Sequence, residues 1–253
     1  MSGAPRESAL RVLAVDAGNS STKAARWDGA WSDVLRLPAD APPDAVTDAL
    51  HALGPVDVAG LAAVVPAAAL RRAIGDATGH APHVVSARSS LPFRLDYATP
   101  DTLGADRIAA AVAAHALVPH RPVVALDAGT ALTLDAVDVA AGGAVYRGGI
   151  IAPGADLLRR ALARDTSALP DVPLADDAPA ALGDSTAACI AAGVAGMWLG
   201  GVRHLLAEVS ATLSASPAVV LTGGGASWLA RHGVAGRVEP RLVLDGVRRL
   251  VSR

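Results

Sequence analysis

Short apolar, β-branched runs that stop at glycine turns alternate along this chain with longer stretches of helical period. Arg11–Val15 runs into Asp16-Ala-Gly-Asn-Ser20, and Pro122–Leu126 runs into Asp127-Ala-Gly-Thr-Ala131. An apolar run closed by a glycine turn reads as a buried strand entering a hairpin. Leu132–Val137 then alternates polar and apolar residues, as a returning strand does, and Ser21–Trp27 is its counterpart in the first half. Further strands are predicted at Gly60–Val65, His83–Val85, Gly149–Ala152 and Ala218–Leu221. Helices are predicted at Asp44–Leu53, Ala67–Thr78, Ala105–Leu117, Ala155–Arg164, Ser185–Ser210 and Leu242–Val251. Asp40–Pro43 and Leu169–Pro179 are Pro- and Asp-rich loops. Strands alternating with helices make this an α/β chain.

The two Asp-Ala-Gly turns lie 111 residues apart. Their recurrence predicts two related halves, 1–119 and 120–253, divided at Pro119-His-Arg-Pro122, where proline disfavours a continuing helix.

Composition narrows the function. With 253 residues and 52% hydrophobic content, the chain can bury a sizeable core. A net charge of −2 argues against phosphate-backbone binding, and 3% aromatics offer no platform for stacked bases, so no nucleic-acid partner is expected. The single cysteine, Cys189, rules out a disulfide framework and reads as a small core residue. Ser185–Val202 is uncharged but broken by four glycines, and reads as a buried helix rather than a membrane span. The expected location is cytoplasmic, with no membrane partner. Arg248, Arg249 and Arg253 read as a solvated helix end.

Lys23 is the only lysine in the chain. A P-loop, which requires Gly-x-x-x-x-Gly-Lys, is therefore excluded. Lys23 stands just past the first glycine turn, where it can meet a phosphate as a point charge. Gly18 lets backbone approach a phosphate, Asn19 and Ser20 add hydrogen-bonding side chains, and Asp16 can hold Mg²⁺ directly or through water. Asp127, Gly129 and Thr130 repeat the pattern, and a pair of such turns fits a polyphosphate. Thr222-Gly-Gly-Gly225 ends another apolar run, with Gly223 and Gly224 placed to admit a flat ligand or phosphate. The order phosphate, phosphate, nucleoside resembles the acetate/sugar kinase–Hsp70–actin superfamily. Between the halves, Tyr97-Ala-Thr-Pro-Asp-Thr-Leu-Gly-Ala-Asp-Arg107 runs into an apolar helix. Gly104 permits a tight approach, Asp106 can serve as a general base, and Arg107 can bind a carboxylate bidentately.

The pattern Tyr97-x-x-Pro100-x-x-Leu103-Gly104-x-Asp106-Arg107 resembles the signature of type III pantothenate kinases. So, in order, do Asp16-x-Gly-Asn-Ser20, Asp127-x-Gly-Thr-Ala131, Gly148-Gly-Ile-Ile-Ala-Pro-Gly154, Gly183-Asp-Ser-Thr186 and Thr222-Gly-Gly. Ser20 stands where many members carry threonine, a form that resembles one bacterial branch and also the Baf-type accessory factors linked to gene regulation. A regulator that kept the fold, or another small-molecule kinase of the superfamily, is the alternative. The resemblance implies two ribonuclease H-like domains, a homodimer, and ATP-dependent phosphorylation of pantothenate with Mg²⁺ and a monovalent cation, K⁺ or NH₄⁺. It implies Asp106 as catalytic base, Tyr97, Gly104, Arg107 and Thr186 at the pantothenate site (Thr186 across the dimer interface), and Asp127 as a ligand of the monovalent cation.

Overall fold

The structure, a computed structural model, describes residues 10–177 and 179–252. It forms two compact units, each built on its own sheet.

Unit 1 holds the described residues up to Leu91, then Thr99–Ala113 and the chain from Val243 onward. Its strands are β1 (Val12–Ala17), β2 (Ser21–Trp27), β3 (Leu35–Pro38), β4 (Val58–Ala63) and β5 (His83–Val84), in the order β3-β2-β1-β4-β5. The first three are antiparallel, and β4 and β5 join in parallel. All six residues of β1 are buried, as befits the central strand. Helix α1 (Pro43–His51) opens on proline, whose fixed φ suits a first turn. Helix α2 (Ala68–Thr78) stops at Gly79, which takes the left-handed conformation at φ +74°. Val46, Leu50 and Ile74 from these helices pack with Leu13, Val15 and Leu61 of the sheet.

Unit 2 holds Pro92–Ala98 and Ala114–Leu242. Its strands are β6 (Arg94–Leu95), β7 (Val123–Ala128), β8 (Ala131–Ala140), β9 (Gly143–Pro153), β10 (Ala218–Thr222) and β11 (Arg237–Val238), in the order β11-β10-β7-β8-β9-β6. Read from β9, the order β9-β8-β7-β10-β11 repeats that of unit 1 strand for strand, with the same parallel and antiparallel partners. The duplicated turns therefore sit on duplicated sheets. Helices α3 (Ala105–Leu117), α4 (Ala155–Asp165), α5 (Thr186–Ala211), α6 (Ala226–Arg231) and α7 (Leu242–Val251) complete the chain.

Several expectations change. The linear division at 119/120 gives way to a crossing inside α3, at 113/114, and to two exchanged segments. Residues 92–98 join unit 2 because β6 pairs with β9. The C-terminal helix joins unit 1 because Gly246 brings its backbone against α3, where an added Cβ would overlap the Ala109 carbonyl. Gly60 of β4 leaves room for Val247 and Val251, which an added Cβ would meet at 2.6 and 2.8 Å. Arg248 is not simply solvated: its guanidinium lies 4.6 Å over the Trp27 ring and pairs with Asp245, as does Arg249. Arg253 lies outside the described residues. Helix α5 buries only one stripe, Ile190, Val194, Ala195, Trp198, Val202 and Val209. Its length and composition would allow it to cross a membrane, yet Ala195, Trp198, Val202 and Val209 of that stripe sit in the unit 2 core. Cys189 lies on the opposite side and is exposed, so it is not a core residue. The short strands β3, β6 and β11 and the single-turn helix α6 lack a sequence forecast.

Because Gly246 allows the α7–α3 contact, Gly246→Ala should destabilise the protein by about 1–3 kcal/mol through overpacking. A lowered urea midpoint checks this; an unchanged midpoint would mean the helices separate without penalty.

Candidate active site

In unit 1 the hairpin β1–β2 sets the geometry. Register places Asp16 directly opposite Lys23, and Lys23 opposite Arg36 of β3. Cross-strand partners project from the same face, so Asp16, Lys23 and Arg36 form one row. The Lys23 ammonium is 3.6 Å from the Asp16 carboxylate. Gly18, Asn19 and Ser20 make the turn, closed by the Gly18 N–H donating to the Ser21 carbonyl at 3.1 Å. Asn19 and Ser20 are exposed at its tip.

Asp16 is only 8% exposed. Burial pushes its carboxyl up to about 6, the Asp106 carboxylate pushes the same way, and Lys23 and Arg36 oppose. Asp106 is thus within electrostatic reach of Asp16. It stands in the first turn of α3, where the helix dipole favours a carboxylate, and its Oδ1 accepts from the Arg107 N–H at 2.7 Å. Gly104 makes this possible: an added Cβ would lie 2.6 Å from Asp106 Oδ1. Arg107 is buried beside it. A cleft of about 460 Å³ opens along this segment, lined by Val64, Val65, Ser86, Thr102, Leu103 and Gly104. Sequence reasoning missed Arg36; the signal was its place on a strand too short to recognise.

In unit 2 the two-residue turn Gly129-Thr130 joins β7 to β8, with Asp127 opposite Thr133 and beside Thr222 of β10. The glycines here serve the carboxylate as much as any ligand. A Cβ on Gly129 would sit 3.1 Å from Asp127 Oδ1, and one on Gly223, whose φ is +85°, would collide with the same oxygen. Two loops are tied to this turn. The Gly154 N–H donates to the Thr130 carbonyl at 3.1 Å, and the Gly225 N–H to the Ala128 carbonyl at 2.9 Å. Gly224 faces open space. Tyr97 is half-buried against Tyr146 and Gly148. Thr186 is exposed at the start of α5, just after Ser185, whose Oγ caps the helix by accepting from the Ala188 N–H at 3.3 Å. The predicted residues thus form one group around Asp16 and Asp106 in unit 1 and another around Asp127 in unit 2, with Tyr97 and Thr186 at separate places in unit 2.

The family model for type III pantothenate kinases matches residues 12–208. The chain belongs to this family. A type III pantothenate kinase of Chlorobaculum parvum is 35% identical over 93% of this chain and 92% of its own length. Another, from Acidiphilium cryptum, is 32% identical over 95% and 94%. Among solved structures, a Baf family protein from Campylobacter jejuni superposes with TM-score 0.60 at 18% identity, over 96% of this chain and 98% of its own. A ROK family glucokinase from Streptomyces griseus superposes with TM-score 0.50 at 15% identity, over 96% and 100%. These likenesses show the fold alone. The family match covers both Asp-x-Gly turns, the Gly104–Arg107 segment and most of α5 of this pantothenate kinase.

The raised pKa of Asp16 has a consequence for stability. The folded protein holds that proton up to about pH 6, whereas the unfolded chain releases it near 3.8. The contribution is therefore complete below about pH 4 and lost as pH rises through 6, leaving an ionised, desolvated carboxylate that costs up to about 3 kcal/mol at neutral pH. Asp16→Asn should raise the melting temperature of the ligand-free protein at pH 8 and lose that gain at pH 4. A gain that is the same at both pH values would mean the buried charge is not its source.

Proposed function

We propose that this kinase transfers the γ-phosphoryl group of ATP to the primary hydroxyl of pantothenate, giving 4′-phosphopantothenate, the first step of coenzyme A synthesis. The observation that carries the roles is the placing of Asp106 on the first turn of α3, beside buried Arg107 and within electrostatic reach of Asp16, which Lys23 pairs with. Phosphoryl transfer needs alignment and charge neutralisation more than covalent chemistry. Asp106 accepts the proton of the attacking hydroxyl, and Arg107 answers the single carboxylate of pantothenate. Gly104 holds the carboxylate in place, and the cleft alongside α3 is large enough for a small polar chain. Lys23 neutralises phosphate charge, and the Gly18–Ser20 turn lies against the phosphates.

Asp16 fits a divalent cation: its buried carboxylate has one ammonium for company, at 3.6 Å, and a second carboxylate nearby. Mg²⁺ held there, directly or through water, would screen the phosphate oxygens. Asp127, set in space kept open by Gly129 and Gly223, suits K⁺ or NH₄⁺. Gly129 and Thr130 supply the second phosphate turn, and Gly223 and Gly224 the nucleoside side. Tyr97 and Thr186 complete the pantothenate site. Unit 1 thus carries the first phosphate motif and the base, and unit 2 the second phosphate and nucleoside motifs.

A homodimer fits the outer face of α5. Met197 is 60% exposed there, and Cβ positions on Gly193, Gly196 and Gly200 meet nothing within 4 Å, so another helix can approach closely. Thr186 lies on the same helix, consistent with a residue offered across a dimer interface. A cytoplasmic location fits that reaction.

ADP release should require ATP, Mg²⁺ and pantothenate together, and should run with K⁺ or NH₄⁺ but not with Na⁺ alone. Glucose should not replace pantothenate, and if it did, a sugar-kinase reading would take over. Asp106→Asn should lower kcat by about 10³-fold while ATP still binds, as removing a general base does. Lys23→Ala should raise KM for ATP. Wild-type turnover in Asp106→Asn would end the base assignment.

A further inference from the structure

Behind Tyr97 lies a polar pair that the phosphoryl-transfer chemistry does not use. Asp135 of β8 is 1% exposed and Tyr146 of β9 is fully buried. The Tyr146 hydroxyl donates to Asp135 Oδ1 at 2.6 Å. Tyr146 is opposite Val137, two residues along from Asp135, so the pair is a diagonal contact on one face of the sheet. Burying such a pair forfeits hydration that a leucine and a phenylalanine of similar shape would not need. What the bond provides is orientation: it fixes the rotation of a phenol ring that would otherwise be held by packing alone.

That ring is the floor on which Tyr97 rests. Phe93 stacks on it with centroids 6.1 Å apart and planes at 27°, and Tyr97 meets it edge-on at 6.0 Å and 66°. Phe93 and Tyr97 are four residues apart in an extended segment, so both point to the same side and bracket the ring. The backbone is pinned at the same place: the Asp96 N–H donates to the Tyr146 carbonyl at 2.9 Å. The register of β8 on β9 slips between Ala136 and Val137, leaving Arg147 as an extra residue before Gly148. Arg147 turns outward and pairs with Asp96 at 2.7 Å. Gly148 takes φ +106°, a conformation closed to other residues, and presents bare backbone to the Tyr97 ring, with its Cβ position 3.8 Å away. Tyr97 thus has a floor and a wall, and remains half-exposed on its open side.

We infer that Asp135 and Tyr146 are positioning residues for pantothenate, acting through Tyr97. This rests on the reading of Tyr97 as part of the pantothenate site. The hydrogen bond orients Tyr146, Tyr146 and Gly148 orient Tyr97, and Tyr97 meets the substrate in one pose rather than several.

The test is a double-mutant cycle on the full chain, read as KM for pantothenate, KM for ATP and kcat. Tyr146→Phe should raise KM for pantothenate about tenfold, as loss of one hydrogen bond would, and leave kcat and KM for ATP within about twofold. Asp135→Asn keeps an acceptor oxygen for the hydroxyl and should stay within about threefold of the wild type. Tyr97→Ala should raise KM for pantothenate by itself, and adding Tyr146→Phe to it should change nothing more. The inference fails if Tyr146→Phe leaves KM for pantothenate untouched, or adds its full increment in the Tyr97→Ala background. Should Tyr146→Phe fold poorly, the paired variant with Asp135→Leu removes both polar groups together and restores stability; KM for pantothenate recovering along with stability would then show a purely structural role. A wild-type chain that turns over pantothenate while Tyr97→Ala is unimpaired removes only the role of Tyr97 and this inference. A wild-type chain that neither binds nor phosphorylates pantothenate removes the functional reading and the inference together.

Discussion

Two carboxylates in this protein occupy space that a single methyl group would fill. Asp106 lies where a Cβ on Gly104 would be, and Asp127 lies against the missing Cβ atoms of Gly129 and Gly223. Glycine in such places is usually explained by backbone torsion or by a phosphate that must come close. Only Gly223 of the three has a positive φ; at Gly104 the reason is side-chain room, and at Gly129 an added Cβ would crowd the Asp127 carboxylate at 3.1 Å. The placing of Asp106 and Asp127 follows from that room, whereas Asp16, Lys23 and Arg36 are placed by strand register. A carboxylate can be held at a fixed place beside the main chain, as Asp106 is in the first turn of α3, without spending side-chain length to get there.

The duplicated sheets apply one template to two tasks. In each, the central strand ends in an aspartate just before a glycine turn, and the returning strand brings a fixed partner across from it. In unit 1 that partner is Lys23, the sole lysine; in unit 2 it is Thr133, which carries no charge. The same backbone thus gives one carboxylate a built-in cation and gives the other a neutral hydroxyl. Asp16 stays costly to ionise even with Lys23 beside it, because burial outweighs the ammonium at 3.6 Å. A site held in that condition gains most when positive charge arrives.

Much of this could be read in the sequence, and the gaps have physical reasons. The hairpins β1–β2 and β7–β8 announce themselves because apolar runs, turns and alternation all agree. Helices α3 and α5 are long enough for their period to be unambiguous. Strands β6 and β11 are two residues each and exist only through their partners, so no local pattern marks them. Strand β3 is four residues on an edge, and missing it hid Arg36 from the row of Asp16 and Lys23. Cys189 was misplaced because an alanine- and glycine-rich helix looks buried on every side, whereas α5 buries one stripe only. The pairing of Asp135 with Tyr146 depends on a β-bulge, and an inserted residue shifts the register without leaving a trace in the hydrophobic alternation.

The position of α7 sets an order of assembly. Unit 1 begins with β1 but takes its last helix from beyond residue 242. As the chain leaves the ribosome, β4 and α3 emerge with Gly60 and Ala109 facing nothing, and they stay that way while all of unit 2 is made. Unit 2 takes only β6 from outside the continuous stretch 114–242, and that strand has already been synthesised. The half of the protein that is translated first is therefore the half that finishes last, and a nascent chain halted short of α7 would carry a complete second domain beside an open first one.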